Sequence, residues 1–118
     1  MARPSTNALT LAFAYGSNMD AEQMDNRCPA ATPAGTARLL GWRFRINTRR
    51  YATILPEAEG VVHGVLWHLT PADEQSLDGY EGVARGLYSK RILPVIAAGK
   101  TLQAMVYVAA DSDAGDPF

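Results

Sequence analysis

One well-punctuated helix start, Thr70-Pro71-Ala72-Asp73-Glu74, stands in a chain that otherwise reads mostly as strand. Thr70 can cap the helix. Pro71 fits the first helical position, where its missing N–H is no loss, and Asp73 and Glu74 complement the helix dipole. This helix is expected to run to about Tyr80, which puts Leu77 and Tyr80 or Glu81 on related faces. A second short helix should follow the Asp20 cap, with Met24 on its apolar side, and stop near Arg27, because Pro29 disfavours helix at Cys28. The strand-like segments are Leu9–Tyr15, Thr36–Asn47, Tyr51–Leu55, Val61–Leu69, Leu87–Ile96 and Thr101–Ala109. Ala30 to Gly35 reads as turn. Gly41 suggests a bend or bulge, Pro56 a strand end, Glu57 to Gly60 a loop, and Pro94 an edge or bulge. Ala98-Gly99-Lys100 reads as a hairpin turn. Strands mostly without βαβ alternation point to an α+β domain on a small curled or closed sheet.

The 118 residues suffice for one domain, expected over residues 8–110, with a flexible arm at 1–7 and a tail at 111–118. A net charge of −1 gives no electrostatic case for nucleic acid or an anionic membrane as partner. Arg43 and Arg45 alternate with Trp42, Phe44 and Ile46, which reads as one solvated and one apolar strand face. Cys28 is the single cysteine, followed by Pro29, with no base near it in sequence. It reads as a buried structural thiol. No apolar run approaches the roughly 20 residues of a membrane span, and residues 1–7 are too polar for a signal-peptide core. The expected setting is soluble, reducing and cytoplasmic. His63 and His68, five apart on a strand, should face opposite ways and share no metal. Asp73, Glu74 and Asp78 read most simply as solvated helix charges.

Two stretches carry candidate chemistry. Tyr15-Gly16-Ser17-Asn18-Met19 follows an apolar run and precedes a helix start, so it is a loop that presents backbone N–H groups, able to hold an anion. A strand-to-helix turn needs Gly and Asn for geometry alone, so this stretch by itself leaves both readings open. The second stretch runs from Leu77 to Tyr88. There Glu81 sits at a helix end, before a glycine loop and a strand, among Leu77, Val83 and Leu87. Burial there would raise its pKa and make it a usable proton acceptor and donor near neutral pH. The alternative is a helix C-terminus with Glu81 in solvent.

Together these stretches resemble the γ-glutamylcyclotransferases and the related AIG2-like proteins. That family opens with a strand and a Tyr-Gly-Ser-Asn loop, as Tyr15 to Asn18 do here. It carries Leu-Asp-x-x-Glu-Gly-Val-x-x-Gly-x-Tyr, which Leu77 to Tyr88 matches at every specified position. Ala52-Thr53-Ile54 and Gly64-Val65-Leu66-Trp67 look like its paired middle strands, and the resemblance covers about residues 10 to 109. It implies a small mixed β-barrel with flanking short helices. Glu81 matches the catalytic glutamate, and Tyr15, Gly16, Ser17 and Asn18 match the loop that holds the glutamyl group. Tyr88 and Tyr107 match tyrosines of the same cavity. Members of the family usually continue into a further tyrosine-bearing segment and a C-terminal helix, whereas this chain stops at Phe118. The expectation is a tail short of that helix, with one cavity wall open or supplied by another chain.

The implied reaction releases 5-oxoproline and a free amine or amino acid from a γ-glutamyl amide. Glu81 would deprotonate the substrate's own α-amine for attack on the γ-carbonyl and then protonate the leaving amine. The nucleophile belongs to the substrate, so no metal or other cofactor is implied, and the partner is a small γ-glutamyl molecule. The protein could act as monomer or homodimer. Acyl transfer to another amine, or mere binding of a small acidic metabolite on the same fold, are the alternatives. A Glu81 that is exposed, or paired to Arg85, would favour the binder.

Overall fold

The polypeptide closes a barrel because two long strands supply most of its wall. The computed structural model describes residues 9–47 and 50–109; the arm and tail expected from sequence lie outside them. The elements are β1 (Thr10–Ala14), α1 (Ala21–Arg27), β2 (Thr32–Ile46), β3 (Ala52–Leu69), α2 (Pro71–Glu81), β4 (Tyr88–Ala97) and β5 (Lys100–Ala109). Short 3-10 turns lie at Ser17–Met19 and Val83–Arg85. The barrel order is β1-β3-β2-β4-β5. Neighbours pair antiparallel except β1 and β5, which meet in parallel at Ala12 and Met105. This is the α+β barrel with flanking helices expected from sequence.

Side-chain alternation builds two layers. Phe13, Leu39, Ile54, Val62, Leu66, Val95, Val106 and Val108 fill the barrel. Ala12, Ala14, Trp67, Leu69, Met105 and Tyr107 point the other way and pack with Met24, Cys28 and Leu77 from the helical side. One wall, made of β1, β5 and the second half of β3, is therefore covered on both faces. This is why Ala104 to Ala109 are all buried, with no polar alternation. Cys28 belongs to this layer. Its thiol donates to the Asp73 carbonyl at 3.4 Å, and burial, chiefly, pushes its pKa up to about 11. That is the inert thiol expected.

The structure corrects the strand boundaries. β2 starts at Thr32, inside the expected turn, and absorbs Gly35 (φ 99°) at a register shift between Pro33 and Thr36. Pro56 does not end a strand, because β3 runs on from Ala52 to Leu69. The ladder passes from Leu40–Val61 to Trp42–Pro56, so residues 57–60 lie opposite Gly41 alone, at φ 87°. A proline is tolerated at such a break because little ladder remains for its missing N–H to interrupt. The expected solvated arginine face is also corrected. Arg43 meets Glu57 at 3.5 Å near solvent, but Arg45 is buried. It lies opposite Thr53, and the end of β5 covers that region, with the Ala109 N–H donating to Thr53 Oγ1 at 3.0 Å. Phe44 and Ile46, expected inside, are 47% and 40% exposed. His63 and His68 are both exposed.

Gly64 fixes the distance between β3 and β1. A Cβ there would lie 2.3 Å from the Ala14 carbonyl oxygen and 2.7 Å from the Phe13 ring. Neither backbone nor packed ring can yield cheaply. Gly64→Ala should therefore cost about 1–3 kcal/mol, the usual penalty of overpacking a core. Urea unfolding of the variant beside wild type would measure it. An unchanged midpoint would show that β1 is held less tightly than its geometry implies.

Candidate active site

α2 brings Glu81 to the barrel mouth and stops there. Thr70 Oγ1 caps its start by accepting the Asp73 N–H at 3.1 Å. Gly82, left-handed at φ 68°, ends it, with its N–H turned back on the Asp78 and Gly79 carbonyls. A side chain at Gly82 would also strike Leu87, 2.7 Å from the added Cβ. Glu81 is thus the last helical residue.

The helix charges expected in solvent instead fasten α2 to the barrel. Asp73 is buried. Glu74 accepts from Thr10 of β1 and, at 2.7 Å, from Lys90 of β4. Asp78 accepts from Lys90 at 2.9 Å and from the Tyr107 hydroxyl at 2.6 Å. The Lys90 ammonium and the Thr10 hydroxyl hold the Glu74 carboxyl below the usual carboxylate range, against the opposing effect of its own burial.

On the other side, the Tyr15–Met19 loop is closed by the Met19 N–H donating to the Gly16 carbonyl at 3.0 Å. Ser17 opens the 3-10 turn that carries Asn18. Asn18 is buried, and its carbonyl accepts the Trp67 indole N–H at 2.9 Å. Its side-chain NH2 donates to Glu81 Oε2 at 3.0 Å, while its side-chain oxygen accepts from Arg27 Nη1 at 2.6 Å. The Arg27 guanidinium lies 5.0 Å from the Tyr80 ring centre. These groups border a cavity of about 360 Å³, small-molecule size. Tyr15, Gly16, Asn18, Glu81, Tyr88 and Tyr107 all line it.

The tyrosine hydroxyls are already engaged. Tyr15 donates to the Tyr107 carbonyl at 2.6 Å, and Tyr88 donates to the Ala52 carbonyl at 2.6 Å. Tyr107 spends its proton on Asp78. Burial raises the pKa of both Tyr15 and Tyr107 well beyond the normal phenol range, so both stay neutral. They shape the cavity wall rather than exchange protons. Glu81 differs. Burial raises its pKa, and the Asn18 hydrogen bond and the Arg27 charge only partly oppose that. It is half-buried, and its bond is to Asn18 rather than to Arg85.

Arg27, Arg50 and Trp67 also line the cavity without having been expected there, as does Arg85, expected only as a possible partner of Glu81. Arg27 left a faint signal. It stands three residues after Met24, the inward residue of α1, and so shares its face. Arg50 sits in a loop and Arg85 ends a three-residue 3-10 turn, too short for periodicity to report direction.

Known proteins are similar to this chain in sequence and in fold. Residues 12–117 match the family model for γ-glutamyl cyclotransferase, AIG2-like proteins. The γ-glutamylcyclotransferase of Bos taurus is 33% identical over 88 residues, which is 66% of this chain and 47% of that protein. That of Mus musculus is 34% identical over the same shares. The chain spans about half the length of these curated relatives. A solved γ-glutamyl cyclotransferase superposes with a TM-score of 0.80 at 29% identity, over 86% of this chain and 66% of that one. By sequence and by fold, the chain belongs to the γ-glutamyl cyclotransferase, AIG2-like family.

Proposed function

We propose that the protein is a γ-glutamylcyclotransferase that converts a γ-glutamyl amide into 5-oxoproline and a free amine. The observation that carries this reading is the state of Glu81. It is a half-buried carboxylate with a raised pKa, bonded to a neutral amide and facing a small cavity. A binding module would gain more from a salt-bridged or solvated carboxylate. A general base needs one that can take up and release a proton near neutral pH.

In this reading the substrate folds back on itself inside the cavity. Glu81 accepts a proton from the α-ammonium, and the freed amine attacks the γ-carbonyl carbon. The Tyr15–Asn18 loop holds the glutamyl group, with backbone N–H groups facing its α-carboxylate or the developing oxyanion. As the γ-C–N bond breaks, Glu81 returns its proton to the departing nitrogen. The ring nitrogen then sheds its extra proton, which the departing amine takes up through Glu81. Two protons have then moved from the α-nitrogen to the leaving group, and Glu81 ends as the carboxylate it was. Tyr15, Tyr88 and Tyr107 act as walls that keep the substrate bent, so that most of the rate comes from orientation. Three arginines, Arg27, Arg50 and Arg85, line the cavity against one carboxylate, Glu81, which favours an anionic substrate.

The test is incubation with a panel of γ-glutamyl amides, followed by assay for 5-oxoproline. Wild type should turn over at least one of them, and Glu81→Gln should lose about 10²–10⁴-fold in kcat. The acid limb of kcat/KM should lie above the ordinary glutamate pKa, since the free enzyme must hold Glu81 ionised. No 5-oxoproline from any amide, or full activity in Glu81→Gln, would refute the assignment.

Stability supplies an independent check on the same carboxylate. The pKa of Glu81 is raised by folding, so between its unfolded and folded values the native state binds more protons and stability falls as pH rises. Glu81→Gln removes that cost. The variant should melt above wild type near neutral pH, and the difference should fade below the ordinary glutamate pKa. Melting curves at the two pH values would show it; a gap independent of pH would mean that Glu81 is not desolvated.

A further inference from the structure

Arg27 hydrogen-bonds to Asn18, which bonds to the candidate base, and its charge also reaches Glu81 through space. An asparagine amide can sit either way round, oxygen or NH2 toward a given neighbour, and the two choices have opposite consequences for a carboxyl group. NH2 toward Glu81 stabilises the ionised acceptor. Oxygen toward Glu81 would require a protonated Glu81 as donor. A guanidinium has five donors and no acceptor, so it can bind only the oxygen side. Arg27 Nη1 takes Asn18 Oδ1 at 2.6 Å, and the NH2 is thereby left to Glu81 Oε2 at 3.0 Å.

Arg27 is itself fixed from α2. The Ser76 hydroxyl donates to its carbonyl at 2.8 Å, and its guanidinium packs over the Tyr80 ring. Asn18 is fixed from β3 through Trp67. The relay thus joins α1, the first loop and α2 at the one place where all three meet the cavity.

We propose that Arg27 is a positioning residue: by holding the Asn18 oxygen it aims the Asn18 N–H at Glu81. It thereby keeps that carboxylate oriented without forming an ion pair with it. Direct pairing to a cation would pull the Glu81 pKa down and weaken it as a base. Asn18 acts as a spacer that passes on orientation and only part of the charge. Around Glu81 the other titratable or charged groups of the wall are Tyr15 of the first loop, Tyr51, Tyr80 of α2, Tyr88 of β4, Tyr107 of β5, and Arg50 and Arg85. Tyr15 and Tyr107 stay neutral, so neither switches near neutral pH.

The Glu81 carboxyl can be followed directly by carbon NMR titration of the free protein, which asks nothing of turnover. In Arg27→Met the Glu81 pKa should rise, and the Asn18 NH2 resonances should no longer track its titration. In Arg27→Lys, which keeps a donor and a charge, both should move back toward wild type. Arg27→Gln, which keeps a donor but no charge, should raise the pKa while Asn18 still tracks Glu81; it serves also if the Met variant does not fold. Loss of melting temperature with an unmoved Glu81 titration would mean that Arg27 only packs against Tyr80, and would overturn the proposal. For kinetics the inference rests on the cyclotransferase reading: Arg27→Met should lower kcat roughly tenfold with little change in KM, a fraction of the ~10²–10⁴ of the acid–base residue itself. If the titrations behave as expected while no γ-glutamyl amide is turned over, the relay stands and the reaction assignment fails.

Discussion

The clamp between α2 and the barrel is the constraint on which the site depends. Leu77 enters the layer between the helices and the outer wall, but a single apolar anchor leaves a short helix free to roll. Lys90 removes that freedom by meeting Glu74 and Asp78 one turn apart on α2. Tyr107 adds a bond from β5, and Thr10 another from β1. Three strands therefore set the angle of one helix. Exposed ion pairs stabilise little, and Lys90 is partly exposed, so the value of this cluster is geometric more than energetic. It decides where residue 81 points.

The same clamp engages one cavity tyrosine, Tyr107, and backbone carbonyls engage Tyr15 and Tyr88. The hydroxyls of these three are thereby committed to a backbone carbonyl or to Asp78. Buried phenols left without partners would cost free energy and would compete with a ligand for hydrogen bonds. With their protons committed, the rings present firm walls. In the wall, the carboxylate whose pKa burial raises is Glu81, and the cations that line the same cavity are arginines.

How much of this was legible in the sequence depended on how local each cause was. The α2 cap at Thr70, the turn at Gly82 and the α1 cap at Asp20 are short-range chemistry, and all lie where the residue types put them. Glu81 at the cavity followed from helical spacing after Leu77 and from a resemblance carried by two motifs. Pro56 misled because its consequence was set by a distant residue: Gly41 on the partner strand makes the break that accommodates it. Asp73, Glu74 and Asp78 misled in the same way. Their pattern is that of a solvated helix face, and only the placement of Lys90, Thr10 and Tyr107 from other strands turns it inward. Arg45 and Phe44 show the limit of alternation, since which face is inside depends on where β5 ends, not on either strand of the hairpin.

A carboxylate held at raised pKa opposes folding, and the fold confines that opposition to one residue. Glu74 and Asp78, two turns and one turn earlier on the same helix, each have a lysine and a hydroxyl as partners. Glu81 has an amide. The difference comes from position along the helix: Lys90 reaches the first two from β4, while the third projects past the barrel rim, where Asn18 is its neighbour. Had a lysine occupied position 18, Glu81 would be as well neutralised as Glu74 and as poor a base. Placing the charge of Arg27 one side chain further away gives Glu81 a fixed orientation and leaves burial to set its proton affinity.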